Sequence, residues 1–354
     1  MHDLASFYQG KRVFITGHTG FKGSWLTQIL VHWGAIVKGY SLEPEGEDSH
    51  FISLNLESKI DHRVGDIRDG AQLQEAILEF QPEIVIHLAA QALVRESYKN
   101  PVDTFSTNVM GFLNLLEVIK VCDSVSALVY ITSDKCYENF EWVWGYRETD
   151  PMGGFDPYSS SKGCAELVAA SYRNSFLNDL GIGVASARAG NVIGGGDWAK
   201  DRLIPDILKS FELDEAVTVR NPNATRPWQH VLEPLSGYLL LAQKLYDNYD
   251  DYSEGWNFGP DEKDVKPVHW ILDKMISYWP NAHWKLDEDS SPHEANFLKL
   301  NISKARSKLD WRPIWELDRA LERIINWHKA WKNNEDIQLL CLAEIKEYMK
   351  DMNK

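Results

Sequence analysis

The chain has 354 residues, 44% of them hydrophobic and 25% charged, which suits one large α/β domain or two moderate ones and excludes disordered or collagen-like classes. Its 37 basic and 52 acidic side chains leave a net charge of −15, so nucleic acid and anionic membrane surfaces are poor partners. Four scattered cysteines form no C-x-x-C pair, no signal segment is visible at Met1-His2-Asp3-Leu4, and a metal-free cytoplasmic protein is expected.

Lys11-Arg12-Val13-Phe14-Ile15-Thr16 reads as a first strand that ends directly at Gly17. The run Gly17-His18-Thr19-Gly20-Phe21-Lys22-Gly23 then passes into Ser24-Trp25-Leu26-Thr27-Gln28-Ile29-Leu30, whose apolar spacing suits a helix. Further strands are predicted at 35–40, 62–66, 83–89, 127–133 and 183–188, separated by helical patterns at 71–80, 101–121 and 158–178. Near-continuous apolar strands alternating with helices imply a parallel sheet covered on both faces. Beyond Gly190 the alternation breaks down, and eight of the fourteen tryptophans lie past residue 250. The expected architecture is α/β: a Rossmann-type, doubly wound parallel sheet over 1–190, with a smaller C-terminal substrate-binding lobe formed mainly by 191–354. A segment near 228–260 is expected to return to the first lobe. A last helix is predicted over about 336–350.

Three motifs carry chemistry. The first is the glycine run, set between a strand and a helix, where glycines let a backbone approach a pyrophosphate and the helix N-terminus stabilises its charge. An imidazole at His18, directly after the first glycine, is expected to crowd that approach and weaken dinucleotide binding. The end of the second strand, Gly39-Tyr40-Ser41-Leu42, offers no arginine for a 2′-phosphate, so NAD is the expected cofactor. Asp66 after the third strand reads either as an acceptor for the adenine amino group or as a helix N-cap. The second motif is Tyr158-Ser159-Ser160-Ser161-Lys162. On a helix the lysine stands one turn from the tyrosine, and its charge is expected to lower the phenol pKa toward neutrality. The third is Thr132-Ser133-Asp134-Lys135-Cys136-Tyr137, at the carboxyl end of a strand, where open parallel sheets bind ligands. Ser133 can hydrogen-bond a reacting hydroxyl, while Asp134 and Lys135 supply an acid and a base; the bland reading is a solvated turn with a surface ion pair.

Together these motifs resemble the extended short-chain dehydrogenase/reductase family, and within it the nucleotide-sugar 4,6-dehydratases. Gly190-Asn191-Val192-Ile193-Gly194-Gly195-Gly196-Asp197-Trp198, Asp201-Arg202-Leu203-Ile204-Pro205-Asp206 and Arg226-Pro227-Trp228-Gln229-His230-Val231 add to the likeness, which is strongest to the branch acting on CDP-glucose. Many dehydratases of this group carry Asp-Glu where this chain has Asp134-Lys135, and that branch has the lysine. The resemblance implies NAD on the Rossmann lobe, held by Gly17, His18, Gly20, Phe21, Gly23, Asp66, Ile67, Ala89, Tyr158 and Lys162. It implies that Ser133, Tyr158 and Lys162 form the oxidising group, and that Asn191, Arg202 and Arg226 hold the nucleotide diphosphate. It also implies a homodimer joined through long helices. The expected reaction is a dehydration that turns CDP-glucose into its 4-keto-6-deoxy derivative, with Tyr158 as base at O4, Lys135 as base at C5 and Asp134 as acid at O6. Two alternatives stand beside it: a nucleotide-sugar 4-epimerase, which has no use for Asp134-Lys135, and a non-catalytic NAD(H)-binding protein, which has no use for the tyrosine pair.

Overall fold

Alternation within each apolar run decides the layers of the molecule. The computed structural model describes residues 4–280, 282–287 and 297–354. It places β1 (Arg12–Thr16), β2 (Ile36–Ser41), β3 (Asp61–Val64), β4 (Ile84–His87), β5 (Ala127–Ile131), β6 (Gly183–Ala189) and β7 (Gly255–Phe258) in one sheet. The order is β7-β6-β5-β4-β1-β2-β3, with every neighbouring pair parallel. Val13, Ile15, Ile84, Ile86, Val129 and Ile131 pack on one face, whereas Phe14, Val85, Leu128 and Tyr130 pack on the other. Successive residues feed two separate cores, which is why the strands read as unbroken apolar runs.

The first face is covered by α1 (Phe21–His32), α6 (Leu232–Asp247) and α8 (Ile337–Met352), and the second by α2 (Gly70–Phe80), α3 (Phe112–Ile119) and α4 (Pro157–Tyr172). The helical pattern over 101–121 comprises Pro101–Phe105, a π turn at Ser106–Gly111 and α3. Asp156 starts α4 by accepting from Ser159 N at 2.9 Å, with Pro157 at the first helical position.

A second, smaller core joins α5 (Leu203–Glu212) to α7 (Leu317–Lys332) through Ile204, Ile207, Phe211, Ile271, Met275, Leu321 and Ile324. The chain passes between the lobes more than once. α6 lies under the sheet, where Tyr8 donates to Leu239 O at 2.7 Å, and β7 extends it beside β6. β7 was not predicted as a strand, because Gly255-Trp256-Asn257-Phe258 is short and half of it has low strand propensity. α8, assigned by sequence to the C-terminal lobe, instead packs Ile337, Cys341 and Ile345 into the sheet's core with Trp25. The loops after β1, β4, β5 and β6 converge at one edge, and the functional side chains gather there.

Candidate active site

The glycine run divides its work between two glycines. Gly17 has φ +74°, and a Cβ there would lie 2.6 Å from Ala89 N. At Gly23 a Cβ would meet Gly17 O at 2.1 Å, so the helix is pressed against the loop. Gly20 caps α1 in extended conformation with no side-chain cap, and the first turn holds no acid. That leaves helix N–H groups and the positive end of the helix dipole for an outside anion. The residues present therefore fit the pyrophosphate of a dinucleotide.

His18 does not crowd this approach, contrary to expectation. Its ring is fully buried, lies against Phe51 and places Nε2 2.6 Å from His62 Nδ1. Burial, with His62 beside it, pushes the imidazole down to about 3. The ring faces the packing under Gly39, which leaves the His18 backbone for a cofactor. Asp66 caps no helix: Asp69 performs that task by accepting from Gln72 N at 3.0 Å. The Asp66 carboxylate accepts instead from Arg68 N and Nε, both at 2.9 Å, and these bonds hold its pKa below the usual range. Ile67 is buried beneath Gly111, and Ala89 N donates to Thr16 Oγ1 at 3.2 Å. At the end of β2, Ser41 Oγ and Thr19 Oγ1 are 2.7 Å apart, which ties the glycine run to the strand.

A cleft of about 880 Å³ opens between the lobes, lined by Phe21, Lys22, Ser133, Asp134, Lys135, Tyr158, Asn191, Arg202 and Arg226 among others. Ser133, two residues past β5, caps a single 3₁₀ turn, accepting from Lys135 N at 3.2 Å and donating to Asp134 Oδ1 at 2.9 Å. Asp134 is 2% exposed, and its Oδ2 has no hydrogen-bond partner. A Cβ at Gly190 would stand 3.1 Å from that oxygen, so the glycine makes room for the acid. Burial raises the Asp134 pKa against the opposing charge of Lys135. The reading of this turn as a solvated surface ion pair is thus overturned: the carboxyl is buried, and no ion pair of Lys135 occurs among the described residues.

Tyr158 and Lys162 lie on one face of α4 and are both buried, at 9% and 7% exposure. The expected lowering of the phenol is absent from the protein alone. Burial pushes Tyr158 up to about 12, with Ser133 and then Arg202 opposing. Lys162 donates to Ile131 O at 3.1 Å, and burial pulls it down to about 8 against the charge of Glu166. Desolvation of the buried phenol outweighs the Ser133 hydrogen bond and the Arg202 charge. Arg202 Nη1 reaches Asp197 Oδ2 at 3.2 Å, Arg226 donates to Thr225 O at 3.0 Å, and Asn191 O accepts from Gln229 N at 3.0 Å.

One residue of the cleft escaped the sequence reading. Lys22 stands in the first turn of α1, and burial, with Arg202 and Lys162 beside it, pushes its ammonium down to about 7. The available signal was a charged residue at an otherwise apolar helix start, in Gly20-Phe21-Lys22-Gly23. Among the described residues no group of three metal-ligating side chains is present.

The family described as GDP-mannose 4,6-dehydratase matches residues 14–324. A CDP-glucose 4,6-dehydratase of Salmonella typhimurium is 58% identical over 350 residues, covering 97% of this chain and 98% of its own length. Among solved structures, dTDP-glucose 4,6-dehydratase from Bacillus anthracis in complex with NAD has a TM-score of 0.77 at 19% identity, covering 94% of this chain and all of its own. UDP-glucose 4-epimerase from Thermotoga maritima with UDP-glucose has a TM-score of 0.77 at 22% identity, covering 90% of this chain and 98% of its own. At these identities the two structures speak for the shared fold.

Proposed function

The chain belongs to the GDP-mannose 4,6-dehydratase family, and we propose that it is an NAD-dependent hydro-lyase converting CDP-glucose to CDP-4-keto-6-deoxyglucose and water. The observation that carries the reading is Asp134, a buried carboxyl with a raised pKa and one unbonded oxygen, set beside Ser133 at the cleft floor. A 4-epimerase removes and replaces only the C4 hydrogen and needs no such acid. Dehydration does, because the C6 hydroxyl leaves as water only when a proton reaches it.

NAD would sit at the glycine run, held by Gly17, Gly20 and Gly23 with Tyr158 and Lys162 beside it, and would supply an acceptor for the hydride of C4 and the donor that restores it at C6. Tyr158 accepts the proton of the 4-hydroxyl as that carbon is oxidised, while the Lys162 ammonium stabilises the developing phenolate and Ser133 orients the oxygen. The new ketone acidifies the C5 hydrogen, and Lys135 accepts it as a proton. Asp134, whose carboxyl pKa burial raises above its usual range, protonates the C6 hydroxyl, and water departs to leave a double bond between C5 and C6. Hydride at C6 and a proton at C5 complete the 6-deoxy sugar. Arg202, Arg226 and Asn191 hold the diphosphate, whose negative charge an acidic protein attracts only through such local cations.

The assembly we infer is a homodimer, formed through the exposed apolar side chains Val102, Met110, Leu167 and Phe176 on neighbouring helical segments. The setting is cytoplasmic deoxysugar biosynthesis, of the kind that supplies lipopolysaccharide O-antigens; among the described residues no helix is long and apolar enough to cross a membrane. The test is to offer CDP-, dTDP-, UDP- and GDP-glucose separately and read the 4-keto-6-deoxy product by its alkaline ultraviolet absorbance. Product from CDP-glucose alone is expected. A 4-epimer, or preference for another base, overturns the assignment.

A further inference from the structure

Beneath the cleft lies an ion pair that the reaction itself does not use. Arg188 on β6 and Glu166 on α4 are both buried and meet in a fork, Nε to Oε1 and Nη2 to Oε2, each at 2.8 Å. The remaining acceptor sites of the carboxylate take Thr132 Oγ1 at 2.6 Å and Tyr130 OH at 3.1 Å. The other arm of Arg188 donates to Tyr137 OH at 2.8 Å and Glu148 O at 3.0 Å, and Tyr137 donates onward to Asn257 Oδ1 at 2.7 Å. Gly255 on β7 makes the room, since a Cβ there would stand 2.4 Å from Arg188 Nη2.

A buried pair of this kind contributes little net stability compared with apolar residues of the same volume. Its placement is informative. Thr132, bonded to Glu166, directly precedes Ser133 and Asp134. Glu166 also lies four residues after Lys162 on the same helix, the spacing at which side chains meet. We propose that Glu166 is a positioning residue for the oxidation step: clamped by Arg188, it anchors the Ser133 turn through Thr132 and, one helical turn from Lys162, its negative charge favours the lysine's ammonium form.

Tyr158 and Lys162 stand one helical turn apart, and once one of them has lost a proton two arrangements compete: phenolate beside ammonium, or phenol beside neutral amine. Only the first holds a base for the sugar hydroxyl. The charged and titratable groups acting on Lys162 are Glu166 one turn on along its own helix, Cys136 after β5, His87 on β4 and Lys22 on α1, with Tyr158 one turn before it. Of these, His87 is held neutral by burial and Lys22 repels the ammonium, whereas Glu166 attracts it. The Arg188 charge holds the Glu166 carboxylate below its usual range despite burial, so that attraction persists across the working pH. Without it, burial lowers the Lys162 pKa further and shifts the balance toward phenol beside neutral amine.

This inference rests on the proposed oxidation of the sugar at C4, and its test reports apart from that chemistry. The phenolate of Tyr158 is read in NAD-loaded enzyme as the ultraviolet difference between each protein and its Tyr158→Phe counterpart, over a pH series. In Glu166→Gln the phenolate should appear about one pH unit higher than in wild type. NADH formation from CDP-glucose should slow about tenfold or more, with KM held within about twofold. Thr132→Val should slow NADH formation without moving the phenolate. Should Glu166→Gln fail to fold, Glu166→Leu with Arg188→Met replaces the pair by apolar groups that keep the core filled, and the same delay is expected. A folded variant lacking Glu166 whose phenolate appears with that of wild type overturns the proton-placing role. Wild-type rates in Thr132→Val overturn the anchoring role. If wild type forms no NADH from CDP-glucose, the functional reading fails while the titration still decides the role of Glu166.

Discussion

Two clusters of buried polar side chains lie on opposite faces of the sheet, and they are built differently. On the α4 face, Glu166, Arg188, Thr132, Tyr137 and Asn257 satisfy one another through short hydrogen bonds. On the α1 face, His50, His230 and Glu344 are just as buried, yet both His50 nitrogens, His230 Nε2 and Glu344 Oε1 lack hydrogen-bond partners. His230 Nε2 and Glu344 Oε2 stand 4.0 Å apart. Burial pushes both histidines down to about 3 and Glu344 up to about 8, so this cluster is neutral near pH 7. The α4 face retains its charges because they are paired, and the reacting groups stand on it. The α1 face sheds its charges because they are not.

The largest effect that can break this contrast is at Tyr158. Tyr158→Phe should lower turnover by about 10²-fold or more while CDP-glucose still binds, since a positioned base contributes that much. Retention of more than about a tenth of the wild-type rate would remove Tyr158 from the base role. Lys135→Ala sharpens the same side. Oxidation at C4 should proceed and NADH should build up, while solvent deuterium stays out of C5; label entering C5 at the wild-type rate would show that another residue is the base.

The smallest effect belongs to the neutral cluster. Glu344 keeps a proton in the folded state up to about pH 8, whereas the unfolded chain releases it near the ordinary carboxyl value. Across that window the folded state binds more protons, so this group's contribution to stability falls with rising pH and then levels off above about 8. Glu344→Gln removes the loss. Relative to wild type, its Tm should rise by at least about 2 °C between pH 5 and pH 8, with turnover unchanged. An equal offset at both pH values, measured by calorimetry, would show that Glu344 is already ionised in the fold.

Much of this was legible before the structure, for reasons that can be named. Five of the six predicted strands are runs buried on both faces, and such runs announce themselves in any window; β3, at the sheet edge, has no buried residue. Tyr158 and Lys162 share a helix face at fixed spacing, and Ser133 follows a strand that ends in a loop, so local pattern was enough to find them. Other features depend on what the chain meets from far away. Nothing near His18 in sequence says that its ring turns toward His62, 44 residues on. Glu166 meets Arg188 only once α4 lies across β6, and room for that guanidinium comes from Gly255 on a strand too short and too polar in composition to be read. The phenol pKa was misjudged for a related reason: the lysine's charge is local, whereas the burial that outweighs it is a property of the closed fold.

The central claim is that hydrogen leaves C4 and returns at C6 of the same sugar while water departs between them. CDP-glucose carrying deuterium at C4, incubated with the NAD-loaded enzyme in ordinary water, tests it directly by mass spectrometry and NMR of the product. The expected product is a 4-keto-6-deoxy sugar with one deuterium in its C6 methyl group and none elsewhere. Deuterium still at C4 of a 4-epimer, or a 4-keto-6-deoxy product whose methyl carries no label, would contradict it.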